Sequence, residues 1–127
     1  MRAYIDADIL IWYFRGERKA LNFFRHWREH NEYELWTGAM QRAEVIYFML
    51  PEEEKATMLF LSQLKTAPVD HETVDLGANL YRRWHPTHGV DMNDTMLAAS
   101  AMRSGGKIFC LNVKHYPMPE VIVEKAW

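Results

Sequence analysis

Short apolar runs of two spacings alternate along the chain. Runs of three to five residues suit strands, and longer ones with apolar positions three and four apart suit helices. Arg2–Asp6 reads as a short strand that runs into an acid. Asp8–Phe14 and Glu17–His30 read as helices split at Gly16. Tyr33–Trp36 is a second strand, and Thr37 is placed to cap a helix over Gly38–Leu50. Pro51 opens another helix, which ends near Leu64, since proline is tolerated in a first turn. A strand at Ala67–Val69 follows, then a helix over His71–Trp84 that ends before Pro86. Asp91 opens a helix to Arg103, which Gly105 and Gly106 close. Lys107–Leu111 is a strand, and Val121–Val123 an edge strand. This alternation predicts an α/β fold, three layers deep, around a short and mainly parallel central sheet.

Size and composition narrow the class. At 127 residues the chain is expected to form one domain, residues 1–127. Its 49% apolar and 25% charged content is ordinary globular usage, which excludes disordered and fibrous classes. The longest unbroken apolar stretches are six residues, Ile9–Phe14 and Val45–Leu50, whereas a membrane helix needs ~20. The opening MRAYIDADIL carries acids where a signal peptide needs an apolar core. Cys110 is the single cysteine, so neither an internal disulfide nor a multi-cysteine zinc site can form. The expected compartment is cytoplasmic. A net charge of -2 does not hold a polyanion by bulk electrostatics, so any nucleic-acid contact needs a local basic cluster or a bound cation.

The acids carry the chemical signal. Ligands of open α/β sheets bind outside the carboxyl ends of the strands. Two strands here end in oxygen donors, Asp6 and Asn112, although either could simply begin a turn. Glu44 sits mid-helix, with Met40, Tyr47 and Phe48 on its face. It is either a carboxylate inside an apolar stripe, costly unless paired or metal-bound, or a stripe-edge side chain that reaches water beside Gln41. Asp91 and Asp94 open a late helix, where capping and the helix dipole alone would account for both. The small run Leu97–Ala101 behind them would let that helix approach the sheet closely and bring Asp94 to the rim.

Together these features identify a resemblance. YIDADILIWYFRG (4–16), AEVIYF (43–48) and NDTMLAASAMRSGGKIFCLNVKHYP (93–117) resemble the PIN-domain ribonucleases, and among them the toxins (VapC type) of VapBC toxin–antitoxin pairs. The resemblance covers nearly the whole chain. It implies a PIN-like fold, a Mg²⁺- or Mn²⁺-dependent endoribonuclease, a homodimer and an antitoxin protein partner. It places the acidic quartet on Asp6, Glu44, Asp94 and Asn112. Three departures stand out: Asn112 where many members have Asp, Cys110 where Ser or Thr is common, and Asp8 where Asn or Ser is usual.

Converging carboxylates repel, and a hard divalent cation removes that cost while using the same oxygens. In this reading Asp6 and Asp94 bind metal directly. Glu44 binds through water or orients the nucleophile, and Asn112 hydrogen-bonds or completes the shell. Asp91 and Asp8 are outer-shell candidates. Arg15 and Lys114 are candidate phosphate contacts, with Arg18, Lys19 and Lys107 as further basic side chains nearby. His115 receives no role. The segment His85–Asp91 reads as a surface loop with histidines rather than a zinc cluster. The crowded aromatics of the first two helices are expected to be mostly core, with some exposed as a partner surface. Two rival readings remain. Asp6-Ala7-Asp8 matches a haloacid-dehalogenase-like phosphotransferase with Asp6 as nucleophile, and a non-catalytic PIN-like module could bind RNA or protein without cutting.

Overall fold

In the computed structural model, which describes residues 1–30 and 32–127, five strands form one sheet. They are β1 (Arg2–Ile5), β2 (Glu34–Gly38), β3 (Lys65–Ala67), β4 (Lys107–Cys110) and β5 (Ile122–Lys125). Their order is β3-β2-β1-β4-β5, and every neighbouring pair is parallel. The helices are α1 (Ala7–Phe14), α2 (Arg18–His30), α3 (Ala39–Phe48), α4 (Glu54–Gln63), α5 (His71–His88) and α6 (Met92–Ser104).

Side chains on β1 and β4 alternate between two cores, as the two-residue period of a strand requires. Ala3, Ile5 and Phe109 face one core with α1, Phe24 and Trp27 of α2, Val45 of α3 and Leu61 of α4. Tyr4, Ile108 and Cys110 face the other, with Leu80 of α5 and the small run of α6. The expected three-layer α/β/α arrangement with a parallel sheet is what forms. Leu97, Ala98, Ala99 and Ala101 are at most 1% exposed, so the small side chains do seat α6 tightly against the sheet. Among the aromatics of the first two helices Phe24 and Trp27 are buried and Trp12 is exposed, as expected of a mixed set; Tyr47 and Phe48 of α3 are exposed as well. Among the described residues no helix is long and apolar enough to cross a membrane.

Several boundaries differ from expectation, each for a local reason. The third strand is Lys65–Ala67 rather than 67–69, because Pro68 has no N–H to continue a ladder. The last strand extends to Lys125 rather than ending at Val123. Helix α5 does not stop before Pro86. The carbonyl that Pro86 leaves without a donor belongs to exposed Arg82, where water can serve it, and the helix ends at Gly89 with φ 58°. His85 and His88 therefore lie on a helix end, not a loop, and His85 stacks on Tyr81. Thr37 does not cap α3. It is buried in β2, and its hydroxyl donates to the Ile5 carbonyl at 2.8 Å, tying β2 to β1 one residue before Asp6. Gly38 takes the capping position instead.

Candidate functional site

Helices α1 and α3 follow β1 and β2 and begin at the carboxyl rim of the sheet, and the first turn of α6, which follows α5, is brought to the same place. Asp6 follows β1 directly and caps α1. Its Oδ1 accepts the Ala7 N–H at 2.8 Å, and the carboxyl is only 6% exposed. Asp91 caps α6 by accepting the Asn93 N–H, as its position suggested. That cap sets the first turn of α6 so that Asp94, 9% exposed, faces the rim.

One hydroxyl joins the two buried acids. Tyr116 Oη donates to Asp6 Oδ2 at 2.7 Å and lies 3.4 Å from Asp94 Oδ1. Tyr116 arrives from the far end of the chain, after β4 and a short 3-10 turn over Val113–His115. Asn112 builds that turn, its Oδ1 accepting the Lys114 N–H at 3.1 Å. The amide orientation this fixes leaves Asn112 Nδ2 facing His115 Nε2 at 3.1 Å. Nδ2 can only donate, so Nε2 accepts and the neutral ring carries its proton on Nδ1. That nitrogen faces Asp94 Oδ2 at 3.6 Å. Asn112 is thus on the rim, exposed, and linked to Asp94 through His115.

Glu44 reaches the same place by a different route from the one its sequence context suggested. Met40, Tyr47 and Phe48 are exposed, and the buried residues of α3 are Gln41 and Val45. The apolar stripe around Glu44 is therefore an outer face. What half-buries Glu44 is α6, where Asn93 Nδ2 donates to Glu44 Oε1 at 3.1 Å. Gln41 gives no path to water. It is 1% exposed and donates to the Asn93 carbonyl at 3.0 Å.

Electrostatics record the crowding. Burial, then the charges of Asp6, Asp91 and Glu44, push the Asp94 carboxyl up to about 7, against the Tyr116 hydrogen bond. Burial is likewise the main cause that raises Asp6, with Asp8 adding to it and the Tyr116 hydrogen bond opposing. Glu44 is raised by burial and by the charges of Asp6, Asp8 and Asp91. Cys110, beneath the rim, is pushed up to about 12 by burial and then by the same acids, so its thiol stays protonated. Buried carboxylates that raise one another's pKa are hard oxygen donors short of positive charge. That chemistry fits Mg²⁺ or Mn²⁺ better than a soft metal. Among the described residues, no three carboxylate, imidazole or thiol groups already form a closed cation cage.

The basic candidates divide. Lys114 is exposed beside Asn112 on the rim. Arg15 is engaged elsewhere: Nη2 donates to the Phe48 carbonyl at 2.9 Å and Nε pairs with Glu53 at 3.1 Å, fastening α1 to the segment after α3. Arg18 and Lys19 are exposed at the start of α2. Lys107 starts β4, at the opposite edge of the sheet, and pairs with Glu124. Tyr116, His115, Asn93 and Gln41 escaped the sequence reading as site residues. The only sequence signal for the first two was their nearness to Asn112.

The chain is thus a parallel α/β domain with buried acids at the carboxyl rim of its sheet, where ligands of such folds bind. Residues 3–115 match the PIN domain family model, and the chain belongs to that family. The ribonuclease VapC19 of Mycobacterium tuberculosis is 28% identical over 115 residues, 90% of this chain and 91% of that protein. Ribonuclease VapC10 of the same organism is 26% identical over 117 residues, 91% of this chain and 86% of that protein. In fold, the chain resembles a toxin–antitoxin complex from Klebsiella pneumoniae (TM-score 0.80, 19% identity, 98% of each chain). It also resembles DNA-bound VapBC from Salmonella typhimurium (TM-score 0.80, 17% identity, 100% of this chain and 99% of that one). Family membership displaces the phosphotransferase reading of Asp6-Ala7-Asp8.

Proposed function

We propose that this protein, acting as one domain over residues 1–127, is a divalent-metal-dependent endoribonuclease and the toxin of a toxin–antitoxin pair. The observation that carries the reading is the burial of Asp6 and Asp94 side by side at the sheet rim, with a single hydroxyl shared between them. Two ionised carboxylates in that setting favour a hard cation. The names of the mycobacterial relatives support ribonuclease activity, and the titles of the structural neighbours support an antitoxin partner.

Asp6 and Asp94 would hold Mg²⁺ or Mn²⁺, with Glu44 joining directly or through water. Such an ion, when bound, supplies a water of lowered pKa and offsets charge on the phosphodiester in the transition state. The remaining work falls to the chain. Glu44, steered by Asn93, orients the attacking water and accepts its hydrogen bond. Asn112 orients His115 against Asp94 rather than joining the ion. Asp8 and Asp91 add negative charge around the site, where each is placed to hold an outer water, and Lys114 meets the RNA backbone at the rim. The exposed apolar side chains of Tyr47, Phe48, Leu50 and Leu59 are surface for a second copy of this chain or the antitoxin.

The test is cleavage of a structured RNA by purified protein with Mg²⁺, with Mn²⁺ and with chelator, D6N as control. Cutting that needs the cation and Asp6 supports the reading. Cation binding and RNA binding without cutting would turn it to the non-catalytic module, and chelator-resistant cutting would overturn the metal assignment.

A further inference from the structure

Asp6 and Asp94 meet at one hydroxyl: Tyr116 Oη donates to Asp6 Oδ2 at 2.7 Å and lies 3.4 Å from Asp94 Oδ1. We propose that Tyr116 is a positioning residue that sets the orientation of Asp6 and Asp94 for a hard divalent cation. The inference rests on the metal-dependent reading above and adds to it a part that no acid supplies.

Three observations carry it. The first is donor count. Asp6 receives the Ala7 N–H on Oδ1 and the Tyr116 hydroxyl on Oδ2, so its plane is pinned from both sides. Each carboxylate oxygen still keeps a free lone pair for a cation. The second is reach. Asp94 stands on a helix that precedes β4, while Asp6 follows β1, and the Tyr116 hydroxyl reaches both, at 2.7 and 3.4 Å. The third is rigidity. Tyr116 is 4% exposed, and its ring is held in the core with Cys110, Met118 and Val121. Its backbone is fixed by the turn that Asn112 starts, with the Tyr116 N–H donating to the Val113 carbonyl at 3.1 Å. A hydroxyl on so fixed a ring cannot follow a carboxylate that swings; it dictates where the carboxylate stays. Metal ligands depend on such outer partners, whose loss typically weakens metal affinity or activity by ~10–100-fold.

Tyr116→Phe keeps the ring and removes only the donor. The expected result is a protein that melts cooperatively, with Mn²⁺ affinity weakened about tenfold or more by calorimetry. RNA cleavage should lose kcat at fixed Mn²⁺, recover part of it at high Mn²⁺, and keep its KM for RNA. A purely structural role would lower the melting temperature without that selective recovery. Y116F that binds Mn²⁺ within about twofold of the unmodified protein overturns the positioning role while leaving the nuclease reading intact. An unmodified protein that neither binds Mn²⁺ nor cuts RNA overturns the nuclease reading, and the cation-positioning role with it. Should Y116F fail to fold, the unmodified protein decides. Its shared hydroxyl proton should be protected from exchange and show NMR contacts to the β-protons of both Asp6 and Asp94; absence of those contacts overturns the proposal.

Discussion

Gln41 donates through Nε2 to the main-chain carbonyl of Asn93 at 3.0 Å, so α3 is fastened to the first turn of α6. Asn93 returns a bond from its side chain to Glu44. The position of Glu44 is therefore set by the helix that carries Asp94. Gln41 can lie so close because residue 38 is glycine. Its Oε1, which has no hydrogen-bond partner among the described residues, stands 2.1 Å from where a Cβ on Gly38 would be, and Leu97 Cδ1 stands 3.0 Å from it. The backbone there is ordinary extended chain (φ -88°), so the requirement is steric. Gly38→Ala should destabilise the fold by ~1–3 kcal/mol through overpacking. It should also lower RNA cleavage at temperatures where the protein is still fully folded. Urea unfolding read beside the cleavage rate checks both.

The raised carboxyl of Asp94 makes metal-free stability depend on pH. The folded state holds that proton up to about pH 7, whereas an unfolded aspartate releases it near its ordinary value of 3.8. Between those values the native state binds more protons, so this group's contribution to stability falls as pH rises. The slope is at most about 1.4 kcal/mol per pH unit and less in practice, because the neighbouring acids titrate together. Asp94→Asn should flatten the decline and melt higher than the unmodified protein in chelator at pH 7.5. Added Mg²⁺ should raise the melting temperature of the unmodified protein but not of D94N. A D94N protein that declines with pH as steeply as its parent would contradict the assignment.

Glu44→Gln keeps an oxygen for the Asn93 amide and removes the charge. If Glu44 orients the attacking water, kcat should fall about 10²-fold or more while KM for RNA stays put. The metal-free protein should melt no lower than its parent, since one of the mutually repelling acids is gone. Single-turnover cleavage at saturating Mg²⁺ separates this from weaker metal binding.

Arg15 and Lys114 should part company on substitution. Lys114→Ala removes an exposed cation beside Asn112. It should raise KM for RNA and reduce the salt slope of RNA binding by about one ion, without changing the melting temperature. Arg15→Ala breaks the contacts to Phe48 and Glu53, so it should lower the melting temperature and leave the salt slope alone. Binding titrations at several salt concentrations, with parallel melts, distinguish the two.

The sequence by itself determined the layered architecture. Alternation of short apolar runs with helical periods is a local property, and strand and helix follow from it wherever glycine, proline or a capping acid marks the end. It also singled out Asp6 and Asp94 as candidates, Asp6 because it directly follows the first strand and Asp94 because the small run behind it would let its helix approach the sheet, but each position alone was equally consistent with a turn or a helix cap. What it could not supply was any relation between residues far apart in the chain. Tyr116 lies 110 residues from Asp6, and nothing in YPMP marks a tyrosine whose hydroxyl will find two carboxylates. The burial of Glu44 was legible as a question but not as an answer. Its i±4 neighbours turned out to face solvent, and α6 buried it instead. Thr37 and Pro86 misled for the same reason. A capping hydroxyl and a helix-breaking ring are local tendencies worth ~1–3 kcal/mol, and the packed sheet and the solvent-facing end of α5 outweighed them. Tertiary contact alone decided which polar groups share the rim, because a hydrogen bond depends on position in space and the chain brings its partners together only once the core has closed.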